Sequence, residues 1–213
     1  MDCPLVLQIT DTAAAPEPAL VARLRAAALL PAEKRRRIAV QLRDPGLETV
    51  ALLALGERLR ALTHELGAAF VVNDRLDLAL VLGADGVHLG RRSVGVADAR
   101  RLLGERVWVS VSCHGLDELD GAMQAGADAV LLSPIFASPG KGPPLGTEAL
   151  RRARAALRGS RTTLLALGGV SAENMADCLR AGADGVAAIR ADLVAALHDS
   201  CLRIASCDLG RPP

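Results

Sequence analysis

The chain has 213 residues, of which 51% are apolar, and its net charge is +1 at pH 7. This length suits a single domain with a large core. Aromatic residues make up only 1% and tyrosine is absent, so the core must consist mainly of Ala, Leu and Val, which favours helices and parallel strands over an aromatic-rich β-sandwich. Because basic and acidic residues are interspersed, the charge gives no reason to expect nucleic acid or an anionic membrane as a partner.

Five cysteines are scattered along the chain without a C-x-x-C pair, namely Cys3, Cys113, Cys178, Cys201 and Cys207. Such an odd, dispersed set is typical of reduced thiols rather than of a disulfide or zinc framework. The start of the chain lacks the basic and apolar segments of a signal peptide, and no apolar run approaches the roughly 18 residues of a membrane span. We therefore expect a cytoplasmic protein.

The apolar pattern predicts eight strands that alternate with helices. In chain order the strands are expected at 5–9, 38–42, 70–72, 85–89, 107–111, 129–132, 163–167 and 185–189. The helices are expected at 17–30, 47–66, 76–82, 96–103, 115–125, 147–157, after Ser171 as an N-cap, and at 192–204. Residues 34–37 are interpreted as a solvated connection. This division predicts one domain over residues 1–207 and a tail at 208–213.

One short sequence recurs where a helix is expected to meet a strand. AGADGV at 181–186 returns as AGADAV at 125–130 and as LGADGV at 82–87. In each copy the glycine is expected to end a helix in the left-handed conformation, and the next strand begins after Ala-Asp. Repeated joints of this kind indicate a repeated βα unit, so the predicted fold is α/β, a single (β/α)8 TIM barrel. An open doubly wound sheet is the alternative.

A polar corner, Asn73-Asp74-Arg75, follows the third predicted strand. Groups at the carboxyl ends of parallel strands are the ones that face a ligand, so we expect the chemistry at this corner. Asp74 can also be interpreted as the N-cap of the helix that follows, and the two roles are compatible.

The predicted strand ends also carry an excess of positive charge. The cationic side chains there are Arg43, Arg91, Arg92, Lys141 and Arg190. Since the whole chain is nearly neutral, this asymmetry favours an anionic substrate, most simply a phosphorylated one. Gly168-Gly169, together with the loop after the eighth strand, is typical of a barrel phosphate site, where bare backbone N–H groups bind the anion.

Four further residues have a structural and a functional interpretation. His88 alternates along a strand and is either a satisfied barrel residue or part of the site. His114 is either catalytic or a structural cap. Lys141 lies in the Pro- and Gly-rich loop at 133–146 and has no packing role there, which favours function. Cys113 is a poor candidate nucleophile, because only His114 is near enough to lower its pKa.

Several motifs occur together in one order: Asn73-Asp74-Arg75, GADGVHLG at 83–90, Ser112-x-His114, Pro134-Ile135-Phe136 with Lys141, and LGGV at 167–170. This set resembles the thiamine phosphate synthase and thiazole tautomerase family over nearly the whole chain. The resemblance implies thiamine biosynthesis. In the synthase reaction, pyrophosphate leaves an aminopyrimidine methyl pyrophosphate, and the ring nitrogen of a thiazole phosphate attacks the resulting cation.

The resemblance also implies a set of functional residues and Mg²⁺ as the cofactor. Asp74 is the implied first metal ligand, and Ser93 stands at the position of the second. The residues implied in catalysis are Arg43, Ser112, His114 and Lys141. Those implied in substrate binding are Gln41, Asn73, Ser138, Pro139, Gly140, Gly168, Gly169, Ile189 and Arg190.

Two positions depart from the pattern of the synthases. Pro45 stands where they have a lysine, and Ser93 stands where they have an aspartate. The same two departures resemble the tautomerase branch, in which His114 would transfer protons without a metal. A barrel that binds thiazole or thiamine phosphate without turnover is a third interpretation. Our hypothesis for a working synthase is that Arg91 and Arg92 replace the lost charges.

Overall fold

The computed structural model describes residues 3–198, and its core is a closed barrel of eight parallel strands. The strands are β1 (Val6–Ile9), β2 (Ile38–Leu42), β3 (Ala69–Asn73), β4 (Gly86–Leu89), β5 (Trp108–Cys113), β6 (Ala129–Leu132), β7 (Thr163–Leu167) and β8 (Gly185–Ala188). Each strand pairs with the next along the chain, and β8 pairs with β1. The predicted TIM barrel is therefore confirmed, and the open sheet is excluded.

Helices connect the strands around the outside of the barrel. They are α1 (Glu17–Ala26), α2 (Ala32–Arg35), α3 (Thr49–Leu66), α4 (Leu76–Val81), α5 (Val96–Leu103), α6 (Leu119–Gln124), α7 (Gly146–Ala156), α8 (Met175–Arg180) and α9 (Leu193–Ala196). Two predicted helices are wrong in part, because 3-10 turns form at Ala27–Leu29 and Leu116–Glu118. None of the helices within residues 3–198 is both long and apolar enough to cross a membrane.

The charged stretch at 34–37 is not a solvated connection as predicted. It contains the end of α2, and its side chains bind backbone carbonyls of other elements. Lys34 Nζ donates to the Leu197 carbonyl at 2.9 Å, and Arg35 Nε donates to the Leu66 carbonyl at 2.9 Å. Both carbonyls lie at helix C-termini, where a cation satisfies an otherwise unpaired acceptor.

The last two predicted helices also differ from those in the structure. Ser171 does not cap α8, which begins at Met175; instead the Ser171 N–H donates to Asn174 Oδ1 at 2.9 Å. The predicted last helix begins one residue later than expected, at Leu193, and it is wrong at 197–198, because the helix ends at Ala196. Its predicted end at 204, the domain end at 207, the tail and two of the five cysteines lie outside the described residues.

The strands separate two apolar layers. Alternate strand residues such as Leu7, Val71 and Leu165 fill the inside of the barrel, and those between them, such as Val40 and Phe70, pack under the helices. This alternation follows from the two-residue period of a strand. A polar residue at an inward-facing strand position therefore lies inside the barrel, in the space that leads to the ends of the strands.

Three Arg–Asp pairs stabilise the repeated joints at the amino ends of the strands. Asp85 accepts the backbone N–H of Phe70 at 2.8 Å and pairs with Arg60 of α3 at 2.8 Å. The other two joints repeat this arrangement. Asp128 accepts the backbone N–H of Val109 and pairs with Arg100. Asp184 accepts the backbone N–H of Leu164 and pairs with Arg154. Each aspartate thus ties one strand to the next and to a helix, which explains why the motif recurs.

Candidate functional site

The end of the barrel at which the strands finish, here called the mouth, holds Asp74 in an unusual backbone conformation. Its φ is +57°, and it is the one residue other than glycine with positive φ among the residues that the structure describes. Such a conformation costs free energy and is often found at functional sites. The interpretation of Asp74 as an N-cap is wrong, because Arg75 takes the cap position of α4 and no side chain caps that helix.

The Asp74 carboxylate instead points toward the loop after β4. It accepts hydrogen bonds from the Gly90 N–H at 3.0 Å, from Asn73 Nδ2 at 2.7 Å and from the Ser93 hydroxyl. Gly90 N–H also contacts Ser93 Oγ at 2.7 Å. The two positions predicted to bind metal are therefore in direct contact.

Whether Mg²⁺ suits this position depends on the oxygen ligands that the described residues offer. Within residues 3–198 there is no cluster of three His, Cys, Asp or Glu side chains able to hold a metal. However, Mg²⁺ is commonly held by one or two carboxylates, with water and substrate phosphates as its other ligands. Asp74, which is exposed, and the adjacent Ser93 oxygen fit this mode of binding.

Gln41 and Asn73 continue the network from Asp74 into the barrel. Gln41 Nε2 donates to Asn73 Oδ1 at 2.9 Å, and both residues were predicted to bind substrate. Gln41 is only 1% exposed, and its Oε1 has no hydrogen-bond partner in the described part of the chain. A buried acceptor without a partner is costly, so this atom is a candidate ligand contact.

His88 lies inside the barrel between two serines of β5. Its Nδ1 is 2.9 Å from Ser110 Oγ, and its Nε2 is 2.9 Å from Ser112 Oγ. Burial lowers the pKa of His88 to about 4, with smaller contributions from Arg43 and His114 in the same direction and from Asp74 in the opposite one. The imidazole is therefore neutral near pH 7, and His88 is a satisfied barrel residue.

The cation at the end of β2 faces the loop after β1. Arg43 Nη1 lies 3.5 Å from Asp11 Oδ2, and its backbone N–H donates to Thr10 Oγ1. The neighbouring Asp44 accepts hydrogen bonds from Thr12 and Gly46. Burial raises the pKa of Asp44, but these hydrogen bonds outweigh it, so the pKa lies below its usual value.

His114 and Arg91 meet at one carboxylate. The His114 backbone N–H donates to Glu118 Oε2 at 2.7 Å, and the ring Nδ1 lies 3.5 Å from the same oxygen. Arg91 is 3.9 Å from the other oxygen of Glu118. Nearby, burial raises the pKa of Cys113 to about 12, assisted by Glu118 and Asp117, which agrees with its rejection as a nucleophile.

The loop at 133–146 packs on the glycine pair after β7. Ile135 N–H donates to the Leu167 carbonyl and Phe136 N–H to the Gly168 carbonyl, both at 2.9 Å. Its tip is a turn in which Lys141 N–H donates to the Ser138 carbonyl at 3.2 Å, with Pro139, Gly140 and Lys141 exposed. At its base Ser133 is 3% exposed, and its hydroxyl has no partner among residues 3–198.

Backbone N–H groups are available beside this loop. Gly168 and Gly169 both have positive φ, and no acceptor within residues 3–198 takes the N–H of Gly169 or Arg190. The carbonyl of Ile189 accepts from Gln8 Nε2 at 3.3 Å, which fixes the backbone after β8. This part of the mouth therefore offers backbone donors, whereas β2 to β5 offer side chains.

The Gly168-Gly169 pair permits a close approach that a side chain would block. A Cβ added to Gly169 would lie 2.6 Å from the Ala137 carbonyl oxygen, in a residue whose φ is +64°. We predict that Gly169→Ala lowers the free energy of unfolding by roughly 2–4 kcal/mol, because the strain adds to the contact. Denaturant unfolding measures this change.

The matched control is Gly159→Ala, at φ +81°, where an added Cβ would meet no atom within 4 Å. This substitution should cost about 1 kcal/mol. Equal costs for the two variants would contradict the prediction.

The barrel thus brings most predicted site residues to one end, in connected groups. Sequence reasoning missed Ser110 and Glu118, which join those groups, and also Ser133, which is buried at the base of the loop. A surface cavity of about 590 Å³ lies at the other end of the strands, beside Gly67, Gly83 and Asp85, and none of its lining residues was predicted to bind ligand.

Comparison with known proteins finds thiamine-phosphate synthases by sequence and a thiamine phosphate pyrophosphorylase by structure. The sequence profile described as thiamine monophosphate synthase matches residues 7–191. The chain is 43% identical over 174 residues to a thiamine-phosphate synthase of Methanoregula boonei, covering 78% of this chain and 79% of the relative. It is 42% identical over 161 residues to one of Moorella thermoacetica, covering 74% and 75%. A solved thiamine phosphate pyrophosphorylase of Pyrococcus furiosus superposes with a TM-score of 0.72 at 30% identity, covering 86% of this chain and 84% of that one.

Proposed function

We infer the activity of this chain from its family and its mouth: the chain belongs to the thiamine monophosphate synthase family. We propose that it couples hydroxymethylpyrimidine pyrophosphate with thiazole phosphate. The bond between the pyrimidine methylene carbon and the pyrophosphate oxygen breaks, and the thiazole nitrogen forms a new bond to that carbon. The products are thiamine phosphate and pyrophosphate.

One observation carries this proposal: the continuous network from Gln41 through Asn73 to Asp74 and Ser93. At one end of the network is the buried amide of Gln41, which suits a heterocycle. At the other end is the exposed carboxylate of Asp74, which suits a metal ion bound to a pyrophosphate. A substrate that carries a heterocycle and a pyrophosphate on one carbon matches both ends. The proposed reaction uses such a substrate.

Each group of the mouth has a place in this scheme. Gln41, Asn73 and Ser112 would hold the pyrimidine, and Arg43 and Lys141 would neutralise charge on the leaving pyrophosphate. Asp74 and the oxygen of Ser93 would hold Mg²⁺, which would supply further charge neutralisation. The residues proposed for the thiazole phosphate and its ring are Ser138, Pro139, Gly140, Gly168, Gly169, Ile189 and Arg190.

The backbone donors suit the thiazole phosphate. The N–H groups of Gly169 and Arg190 lack acceptors within residues 3–198, and phosphate oxygens would supply them. Lys141 at the exposed loop tip would then close the site from above. A cytoplasmic location, expected from the scattered thiols, stays a prediction.

Arg91 and Arg92 are proposed to replace the charges lost at Pro45 and Ser93. Both are exposed beside the metal position, and Arg91 is only loosely paired with Glu118. We predict that Arg91→Glu with Arg92→Glu raises the KM for the pyrimidine pyrophosphate roughly tenfold or more, because repulsion replaces attraction. Steady-state kinetics and a thermal melt would separate this effect from loss of fold.

A charge-matched control is available on α7. Arg151→Glu with Arg152→Glu makes the same charge change at two exposed consecutive arginines. An equal rise in KM for both double variants would reject a local role for the pair at 91–92.

The deciding experiment is a turnover assay with both substrates, with and without magnesium. Magnesium-dependent formation of thiamine phosphate supports the proposal. Metal-independent isomerisation of the thiazole phosphate would instead favour a tautomerase with His114 as acid and base. Binding of thiazole phosphate without either reaction would favour a carrier or regulator.

A further inference from the structure

Gln8 of β1 occupies an unusual place for an amide. Its neighbours along the strand alternate between the two apolar layers, with Val6 under the helices and Leu7 inside the barrel. Gln8 therefore belongs to the layer under the helices, where it is 0% exposed. Its Oε1 has no hydrogen-bond partner among residues 3–198, which is costly for a buried acceptor. An apolar side chain would avoid this cost, so packing alone does not explain the amide at this position.

The other half of the amide joins β1 to the backbone at the end of β8. Gln8 Nε2 donates to the Ala188 carbonyl at 3.2 Å and to the Ile189 carbonyl at 3.3 Å. Both partners only accept hydrogen bonds, so the atom that faces them must be the NH₂ group, and this fixes the orientation of the amide. Two consecutive carbonyls are thus held on the side of β8 that faces β1.

The orientation of these carbonyls sets the direction of two N–H groups. The peptides that join Ala188 to Ile189 and Ile189 to Arg190 are both trans, and in a trans peptide the N–H points opposite to the C=O. The N–H groups of Ile189 and Arg190 therefore point away from β1. The neighbour of β8 on that side is β7, which leads into Gly168-Gly169. Neither N–H group has an acceptor within residues 3–198.

We propose that Gln8 is a positioning residue for the phosphate site of the mouth. It fixes the two carbonyls so that the N–H groups of Ile189 and Arg190 together face the Gly168-Gly169 side of the mouth. Consecutive N–H groups that point the same way are a recurrent anion-binding arrangement. Gln8 itself does not touch the ligand, because it lies under the helices on the opposite side of the two peptides. This inference rests on the proposed function, since the anion concerned is the phosphate of the thiazole substrate.

The first test uses inorganic phosphate as the probe and needs no turnover. In ¹H–¹⁵N spectra of the wild-type protein, we expect the amide resonances of Ile189 and Arg190 to shift saturably as phosphate is added. Gln8→Leu has a side chain of similar size without the donor. We expect it to raise the dissociation constant for phosphate roughly tenfold, about the effect of losing one hydrogen bond to a charged group. Wild-type resonances that do not respond to phosphate, or equal dissociation constants for the two proteins, would overturn the proposal.

The second test separates the phosphate from the ring of the ligand. Calorimetry with thiazole phosphate and with the dephosphorylated thiazole alcohol measures how much the phosphate adds to affinity. In Gln8→Leu we expect the preference for the phosphate to fall roughly tenfold, while the affinity for the alcohol stays unchanged. Thr162→Val is the matched control, because Thr162 is also a buried side chain that donates to a backbone carbonyl, just before the amino end of β7. An equal fall in both variants would reject a local role for Gln8.

The outcomes separate this proposal from the proposed function. A thermal melt establishes that each variant is folded. If Gln8→Leu does not fold, Gln8→Met, which keeps an unbranched side chain without the donor, takes its place, and an absent response of the wild-type amides to phosphate still overturns the proposal. Absence of turnover in the coupling assay would instead reject the proposed function, and the phosphate titrations would still decide the role of Gln8.

Discussion

Replacing Asp74 by asparagine is expected to lower magnesium-dependent turnover roughly a hundredfold or more, with little change in stability. The substitution keeps the size of the side chain, and asparagine tolerates the left-handed backbone found at φ +57°. It removes the carboxylate that contacts Ser93, and with it the charge that would hold the metal at the pyrophosphate. Losses of this size are typical when one electrostatic group of a reaction site is removed.

The stability of Asp74→Asn should stay within about 1 kcal/mol of wild type, because Asp74 is exposed and the new side chain can still accept from Gly90. The measurements are kcat and KM over a range of magnesium concentrations, together with denaturant unfolding. Asp77→Asn is the control: it removes an exposed carboxylate three residues away that pairs with Arg75. It should leave turnover and its magnesium dependence unchanged. Equal activities and equal magnesium requirements for wild type and Asp74→Asn would contradict a metal at this position.

The barrel was predictable because its joints repeat. Asp85, Asp128 and Asp184 each accept a backbone N–H from the preceding strand and pair with an arginine of a helix. The sequence shows the repeat, but it does not show the arginine partners, which lie 25 to 30 residues earlier in the chain. Local periodicity and a repeated turn therefore suffice for the fold, whereas the contacts that stabilise it need the closed barrel.

Asp74 shows why the local interpretation of a motif can fail. A polar residue just before a helix has the sequence pattern of an N-cap. In the structure its backbone is left-handed, and its side chain contacts the loop after the next strand. Only the pairing of β3 with β4 brings Gly90 and Ser93 to this carboxylate, and that pairing is not encoded in the residues near Asp74.

The residues that sequence reasoning missed depend on strand register. Ser110 lies within an alternating apolar strand and has no motif of its own. Its contact with the histidine arises because β5 pairs with β4 so that His88 lies opposite Ser110. Ser133 was missed for a related reason: its burial and its unpaired hydroxyl arise from the packing of its loop on Gly168.

The buried His88 also predicts a strong dependence of stability on pH. Burial lowers its pKa to about 4 in the folded protein, against a usual value of 6.5. As the pH falls, the unfolded chain binds a proton before the folded protein does. The stability due to the neutral imidazole is therefore fully present above pH 6.5 and is lost progressively as the pH falls from 6.5 to 4. A shift of this size corresponds to a loss of about 3 kcal/mol in the free energy of unfolding.

Denaturant unfolding at intervals between pH 4 and pH 8 measures this loss, and comparison with His88→Gln isolates it. The carboxyl groups with lowered pKa, such as Asp44 and Asp77, also reduce stability in acid, but they are present in both proteins. The difference between the two stability curves should therefore grow by about 3 kcal/mol from pH 4 to pH 7. His64→Gln, at an exposed position on α3, is the control for the substitution itself. A His88→Gln curve that runs parallel to wild type would show that His88 binds its proton equally well in the folded and unfolded states.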